Sequence, residues 1–209
     1  MAELKIGQKA PTFSLTDKDG KEFSFGTAKS DYTVLYFYPK DDTPGCTLEA
    51  KEFSTSLPKF KSRNVIVVGI SGGSDKTKAS FCKKYSLKVP LVSDTNFKVA
   101  KSYGAYGAKQ FMGRSFQGIF RKTFVVDKSG KVVKIFGSVK PEGHAEEVLA
   151  VIDSLRGSKV GMAPKKATSK REATGSKRRQ PARKTATKKA QTKKAPKRAP
   201  AKGRVVKKK

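Results

Sequence analysis

The sequence predicts an α/β domain built on a mixed sheet covered on both faces by helices. Three observations carry that reading. Thr33–Tyr38 (TVLYFY) and Asn64–Ile70 (NVIVVGI) are uninterrupted apolar β runs, the pattern of strands buried on both faces. Segments with helical spacing of apolar residues lie between the β runs. The pattern then closes with a hairpin and a helix, so helices are available to cover a sheet.

In chain order, FSLT and KEFSF within Phe13–Phe25 flank Asp17-Lys18-Asp19-Gly20, a hairpin with Asp19-Gly20 as its turn. Thr33–Tyr38 follows as a central strand. Cys46, Ala50, Phe53, Leu57 and Phe60 then recur on one helical face, and Pro58 is expected to interrupt or kink that helix. After Asn64–Ile70, Thr77–Leu87 reads as a shorter helix with Phe81, Cys82 and Tyr85 on one side. Val89–Val92 is a short strand, and Phe97–Tyr103 a further helical turn or two. Thr123–Val126 and Val132–Phe136 form a hairpin around Asp127-Lys128-Ser129-Gly130. His144–Arg156 has the stripe Val148, Ile152, Leu155, with Glu146 and Glu147 in the first turn and Gly157 at the expected left-handed end. His144 reads as a surface residue. Gly69–Ser74 follows a strand and precedes a helix but lacks a phosphate-loop pattern, so it reads as a plain βα turn.

Charge divides the chain after Gly157. Residues 1–157 hold 26 basic and 16 acidic residues, whereas 158–209 hold 21 basic residues and one acid, Glu172. All 19 Phe and Tyr residues precede position 137. The final segment cannot bury enough apolar surface to offset its ordering entropy, so a disordered tail is expected after a single domain at 1–157. No apolar run approaches the roughly 20 residues of a membrane span, and MAELKIGQKAPTF has no apolar h-region, so no secretory signal is expected. Two cysteines and one histidine argue against a disulfide scaffold or a four-ligand zinc site, and favour a reducing compartment.

The chemistry concentrates at Cys46. After the central strand comes Pro39-Lys40-Asp41-Asp42-Thr43-Pro44-Gly45-Cys46. Thr43 suits an N-cap and Pro44 the first helical position, which puts Cys46 in the first turn. Unpaired backbone N–H groups and the positive helix end favour a thiolate there. Position alone also fits an ordinary apolar helix residue, since Cys46 begins the buried stripe.

The stretch YFYPKDDTPGCTLEAKEF resembles the active-site segment of peroxiredoxins, Pro-x-x-x-Thr-x-x-Cys, at Pro39, Thr43 and Cys46. YPKDDTPGCT points to the peroxiredoxin Q, or bacterioferritin-comigratory-protein, branch. Gly7, Ala10-Pro11-Thr12-Phe13, NVIVVGIS, VPLVSD and Arg121–Asp127 match in the expected order over roughly residues 5–157. The resemblance implies a thioredoxin-like fold and a thiol peroxidase acting on hydrogen peroxide and organic hydroperoxides. It implies that Cys46 attacks the peroxide, that the Thr43 hydroxyl, the Cys46 N–H and Arg121 polarise it, and that Pro39 shields the sulfur from water. On its own, Arg121 also fits a solvated surface arginine. Glu49, one turn after Cys46, either orients Arg121 or is an exposed helix acid.

Many members of the branch carry a second cysteine five residues after the first. Lys51 occupies that position here. Others use a cysteine on the following helix, which Cys82 matches. The resemblance therefore implies a Cys46–Cys82 disulfide reduced by thioredoxin or a related dithiol; a buried, inert Cys82 is the alternative. It also implies a monomer, and no cofactor.

The tail is low in complexity and resembles linker-histone tails in its Lys/Ala/Pro/Thr composition. Lys165-Lys166, ten intervening residues and Lys177-Arg178-Arg179 have the spacing of a bipartite nuclear import signal. A nuclear location is expected, with cytoplasmic as the alternative. So is salt-sensitive binding to DNA or chromatin without sequence readout. No aromatic side chain is present there to stack on bases. The alternative to an enzyme is a DNA-shielding protein whose domain serves as redox sensor or scaffold.

Overall fold

The computed structural model describes residues 3–26, 29–111 and 113–160. The expected import and DNA-binding residues Lys165, Lys166, Lys177, Arg178 and Arg179 lie outside them, as does nearly all of the tail.

In chain order the elements are β1 (Phe13–Asp17), β2 (Glu22–Phe25), β3 (Tyr32–Phe37), α1 (Pro44–Ser62), β4 (Val65–Ser71), α2 (Asp75–Tyr85) and β5 (Leu91–Ser93). They continue with α3 (Lys98–Ser102), β6 (Tyr106–Phe111), β7 (Arg114–Ile119), β8 (Lys122–Asp127), β9 (Val132–Phe136) and α4 (His144–Val160). Seven strands form one sheet in the order β2-β1-β5-β4-β3-β8-β9. The central β3, β4 and β5 are parallel, while β1 and β8 flank them antiparallel. This is the mixed α/β sheet the residue pattern predicts, in the thioredoxin-like form the resemblance implies.

Alternation along β3 builds two cores. Tyr32, Val34, Tyr36 and the following Tyr38 join Ala50, Phe53 and Phe60 of α1, Phe81 of α2 and Val148 and Ile152 of α4 on one face. Leu35 and Phe37 join Val99 and Ala100 of α3, Tyr103 and Phe124 on the other. A strand with every residue buried has no solvent face, which is why TVLYFY shows no polar alternation. The Tyr36 ring stacks between Tyr38, at 5.7 Å, and Phe53, at 4.5 Å. Both hairpin turns carry a left-handed glycine, Gly20 and Gly130. Each also has an aspartate, Asp17 or Asp127, accepting from backbone N–H groups two and four residues on.

Several expectations are corrected. Helix α1 runs through Pro58 to Ser62, because buried Leu57 and Phe60 hold its last turn against the body. Helix α4 continues through Gly157 to Val160 rather than ending at a left-handed glycine; an interior glycine costs only about 1 kcal/mol. The Val89–Val92 strand is shifted to Leu91–Ser93, and the helical turn near Phe97 begins at Lys98 with Phe97 itself left-handed. The β6–β7 hairpin was not expected. Its second strand is exposed along most of its length, so it shows no apolar alternation to detect. His144 is buried rather than on the surface. Its Nε2 lies 2.9 Å from Thr123 Oγ1, and its ring packs edge-on to Phe136 and Phe53. Burial pushes its pKa down, against the pull of Glu147.

Candidate active site

Cys46 sits where β3 gives way to α1. Thr43 occupies the N-cap, Pro44 and Gly45 precede the cysteine in the first turn, and no acidic residue lies in that turn. The sulfur therefore sits at the positive helix end with no acid among its first-turn neighbours. Thr43 takes its capping position, but its side chain does not cap. The hydroxyl donates instead to the Lys40 carbonyl at 3.1 Å.

Arg121 reaches this helix start from the segment between β7 and β8. It is not a surface arginine. Its Nη2 donates to Cys46 Sγ at 3.3 Å and its Nη1 to Glu49 Oε2. Cys46 is 1% exposed and the Glu49 side chain fully enclosed. Glu49 is thus the acid that holds Arg121, one helical turn beyond the cysteine. Burial pushes the Glu49 carboxyl up to about 7, against the pull of Arg121 and with some help from Glu52. Burial disfavours the Arg121 charge, yet Glu49 and Cys46 outweigh it and the net shift is upward. The guanidinium stays charged and tied at both ends, as a preorganised donor must be.

Three supporting features escaped sequence reasoning. A Cβ at Gly45 would lie 3.2 Å from Pro141 and 3.3 Å from Arg121 Nη2, so glycine there leaves room for the guanidinium. Lys109, from the β6–β7 hairpin, donates to the Ile119 carbonyl at 2.8 Å and lies over the Phe120 ring, bracing the two residues before Arg121. Burial lowers the Lys109 pKa, with Arg121 adding repulsion and Cys46 opposing it. Glu52 accepts from the Gly143 N–H at 2.8 Å and ties the loop before α4 to α1. None has a short-range signature, since each partner lies 70 or more residues away or on an unrecognised hairpin.

Pro39 follows β3 and lines a cavity of about 640 Å³ together with Asp41, Asp42, Gly73, Thr77, Phe81 and Phe97. Cys82 lies on α2, 5% exposed, in the same apolar cluster as Cys46. Both thiols are free. Burial pushes the Cys82 pKa up, while Lys18 and Lys78 pull it down less strongly. The fold thus brings Arg121 onto both Cys46 and Glu49, while Cys82 sits on α2 with burial as the largest influence on its thiol.

The AhpC/TSA family matches residues 6–135. A Helicobacter pylori protein named as a peroxiredoxin, bcp, is 44% identical over 149 residues, which are 71% of this chain and 98% of that protein. Peroxiredoxin Bcp of Bacillus subtilis is 36% identical over 152 residues, 73% of this chain and 97% of its own length. Among solved structures, a cysteine-to-serine mutant of Xylella fastidiosa PrxQ superposes with a TM-score of 0.70 at 32% identity, covering 75% of this chain and 99% of that one. A cysteine in the first turn of α1, a guanidinium on its sulfur, the seven-stranded sheet and these likenesses lead to one conclusion: the chain belongs to the AhpC/TSA family and is a peroxiredoxin of the peroxiredoxin Q/Bcp group.

Proposed function

We propose that the protein reduces hydrogen peroxide and organic hydroperoxides at Cys46, resolves the product as a Cys46–Cys82 disulfide, and is recycled by thioredoxin or a related dithiol. The observation that carries this reading is Arg121 Nη2 at 3.3 Å from Cys46 Sγ, held from behind by Glu49. The Cys46 thiolate attacks the distal peroxide oxygen. An S–O bond forms, the O–O bond breaks, and the departing oxygen takes up a proton to leave as water or an alcohol, with Cys46 as the sulfenic acid. Arg121 stands beside the sulfur where negative charge passes to the leaving oxygen. Pro39 and Thr43 shape the approach, with the Cys46 N–H as a second donor. Cys82 then attacks the sulfenic sulfur as its thiol proton leaves with the hydroxyl as water, and a dithiol reduces the disulfide.

The finer part of the proposal concerns residues 158–209. Twenty-one basic residues against one acid support salt-sensitive contact with DNA phosphates and, through the two basic clusters, nuclear import. The enzyme would then act beside DNA, as a monomer. The test is peroxide turnover with thioredoxin for wild type, Cys46→Ser and Cys82→Ser. Cys46→Ser should abolish turnover. Cys82→Ser should still consume one equivalent of peroxide but stall without an external thiol. Full activity in Cys46→Ser refutes the enzyme. Deleting 158–209 should abolish DNA retention and spare turnover, and unchanged retention refutes the tether.

A further inference from the structure

Arg121 reaches Cys46 from a break between two strands. Strand β7 ends at Ile119 and β8 begins at Lys122, so Phe120 and Arg121 lie between them. Beyond the break, Lys122 is fixed by its pairing with Phe37 of β3. Before it, the chain belongs to the β6–β7 hairpin, a separate two-stranded sheet. Two strands by themselves are marginally stable in water. The aim of the guanidinium therefore depends on how this hairpin is tied to the break. Cys46 and Glu49 hold the tip of Arg121; its root needs a hold of its own.

Lys109 supplies that hold in two ways. From β6, its Nζ donates across the hairpin to the Ile119 carbonyl at 2.8 Å, two residues before Arg121. The same ammonium lies 5.6 Å from the centroid of the Phe120 ring. Lys122 Nζ stands 5.9 Å from that ring and pairs with Glu3 at 2.6 Å. Two ammoniums thus hold one ring by cation–π attraction. The Phe120 N–H donates to the Ala105 carbonyl at 2.8 Å. A Cβ at Gly107 would lie 3.0 Å from the Phe120 ring, so glycine lets the ring seat against the hairpin. Burial and Arg121 both work against a charge on Lys109. A cation kept in such a place is costly unless its contacts are made.

We propose that Lys109 is a positioning residue for Arg121: by clasping the Ile119 carbonyl and the Phe120 ring it fixes the strand break and sets the aim of the guanidinium on Cys46. Its part in the reaction rests on the peroxide reading above. Lys109 acts through Arg121, since its ammonium is engaged by the Ile119 carbonyl and the Phe120 ring. The β6–β7 hairpin thereby bears on the rate at a sulfur carried by α1.

The test uses the full chain as wild type, Lys109→Met, Lys109→Arg and Gly107→Ala, each also combined with Arg121→Gln. Reaction with hydrogen peroxide is measured by competition against a reference enzyme. The order of the Arg121 Nε–H group is read by NMR relaxation, its signal assigned by its loss in Arg121→Gln. Lys109→Met should slow the peroxide reaction by about 10- to 100-fold, the cost of a group displaced by up to about 1 Å. With Arg121 already replaced, the same substitution should change the rate by less than about twofold, because its route to the sulfur is gone. Lys109→Arg keeps a cationic donor and should recover most of the wild-type rate. The Arg121 side chain should lose order in Lys109→Met and keep it in Lys109→Arg. If Lys109→Met fails to fold, Gly107→Ala asks the same question by pressing on the Phe120 ring, and it should show the same dependence on Arg121. Equal slowing with and without Arg121 overturns the proposal, as does a Lys109→Met rate within about threefold of wild type. Unchanged order at Arg121 in Lys109→Met overturns it whatever the rates. A wild type that does not react with peroxide removes the peroxidase reading, and the order at Arg121 then decides the positioning role by itself.

Discussion

Cys46 and Cys82 are the same residue type, both nearly inaccessible and both in one apolar cluster, yet their surroundings differ in kind. Cys46 lies in the first turn of α1, with a guanidinium on its sulfur and a buried carboxylate behind that guanidinium. Cys82 lies in the later part of α2, against Phe81 and the sheet, and burial dominates its titration. Burial alone makes a thiol inert, whereas burial with an oriented cation makes a nucleophile. Cys46 has a guanidinium donor on its sulfur, and Cys82 has burial as the largest influence on its thiol.

The largest expected effect comes from removing the cation. Arg121→Gln should lower the rate of reaction with peroxide by about 10²–10³-fold, the size seen when one preorganised donor is lost. Competition for peroxide against a reference enzyme measures it. Cys82 labelling after unfolding should match wild type, and a rate within threefold of wild type would break the distinction between the two thiols.

A second expectation concerns Glu49. Its folded pKa of about 7 lies above the ordinary carboxylate range. The native state therefore holds this proton more tightly than the unfolded chain. Its contribution to stability is full below about pH 4.5 and is lost as pH rises to about 7, by about 3 kcal/mol at most. Glu49→Gln removes that slope. Urea melts of both proteins between pH 4.5 and 7.5 should show wild type losing stability relative to the variant as pH rises. A constant difference refutes the buried, proton-retaining carboxyl, and the Cys82 helix should melt identically in both.

The smallest effect is at Gly45. Gly45→Ala removes a helix glycine, worth about 0.5–1 kcal/mol of stability, but crowds Pro141 and Arg121 Nη2. The peroxide rate should fall by up to about tenfold, with Tm unchanged or raised. A loss of both would mean that glycine serves folding rather than the guanidinium.

Much of this site was legible along the chain. The β run, the turn, the proline and the cysteine at a helix start are adjacent, and their spacing already placed a sulfur at a positive helix end. The stripe from Cys46 to Phe60 was legible for the same reason, since periodicity is a local property. Arg121 is 75 residues away and reads in isolation as a solvated arginine. Only the family resemblance assigned it. His144 was misjudged because a helix start is usually exposed, whereas here α4 begins against Phe53 and Phe136. The β6–β7 hairpin escaped because its exposed strand leaves no periodic trace.

Local order is written in neighbouring residues: strands with two buried faces, Asx turns with left-handed glycines, and a cysteine one turn into a helix. These follow from backbone sterics and side-chain periodicity, which act over a few positions. The fold decided what those signals cannot hold, namely the guanidinium on the sulfur, the buried Glu49 behind it, and Lys78 of α2 sealed beside Asp41. Such contacts join distant segments of chain. Their energies come from removing charge from water, a quantity that exists only once the surrounding walls have assembled.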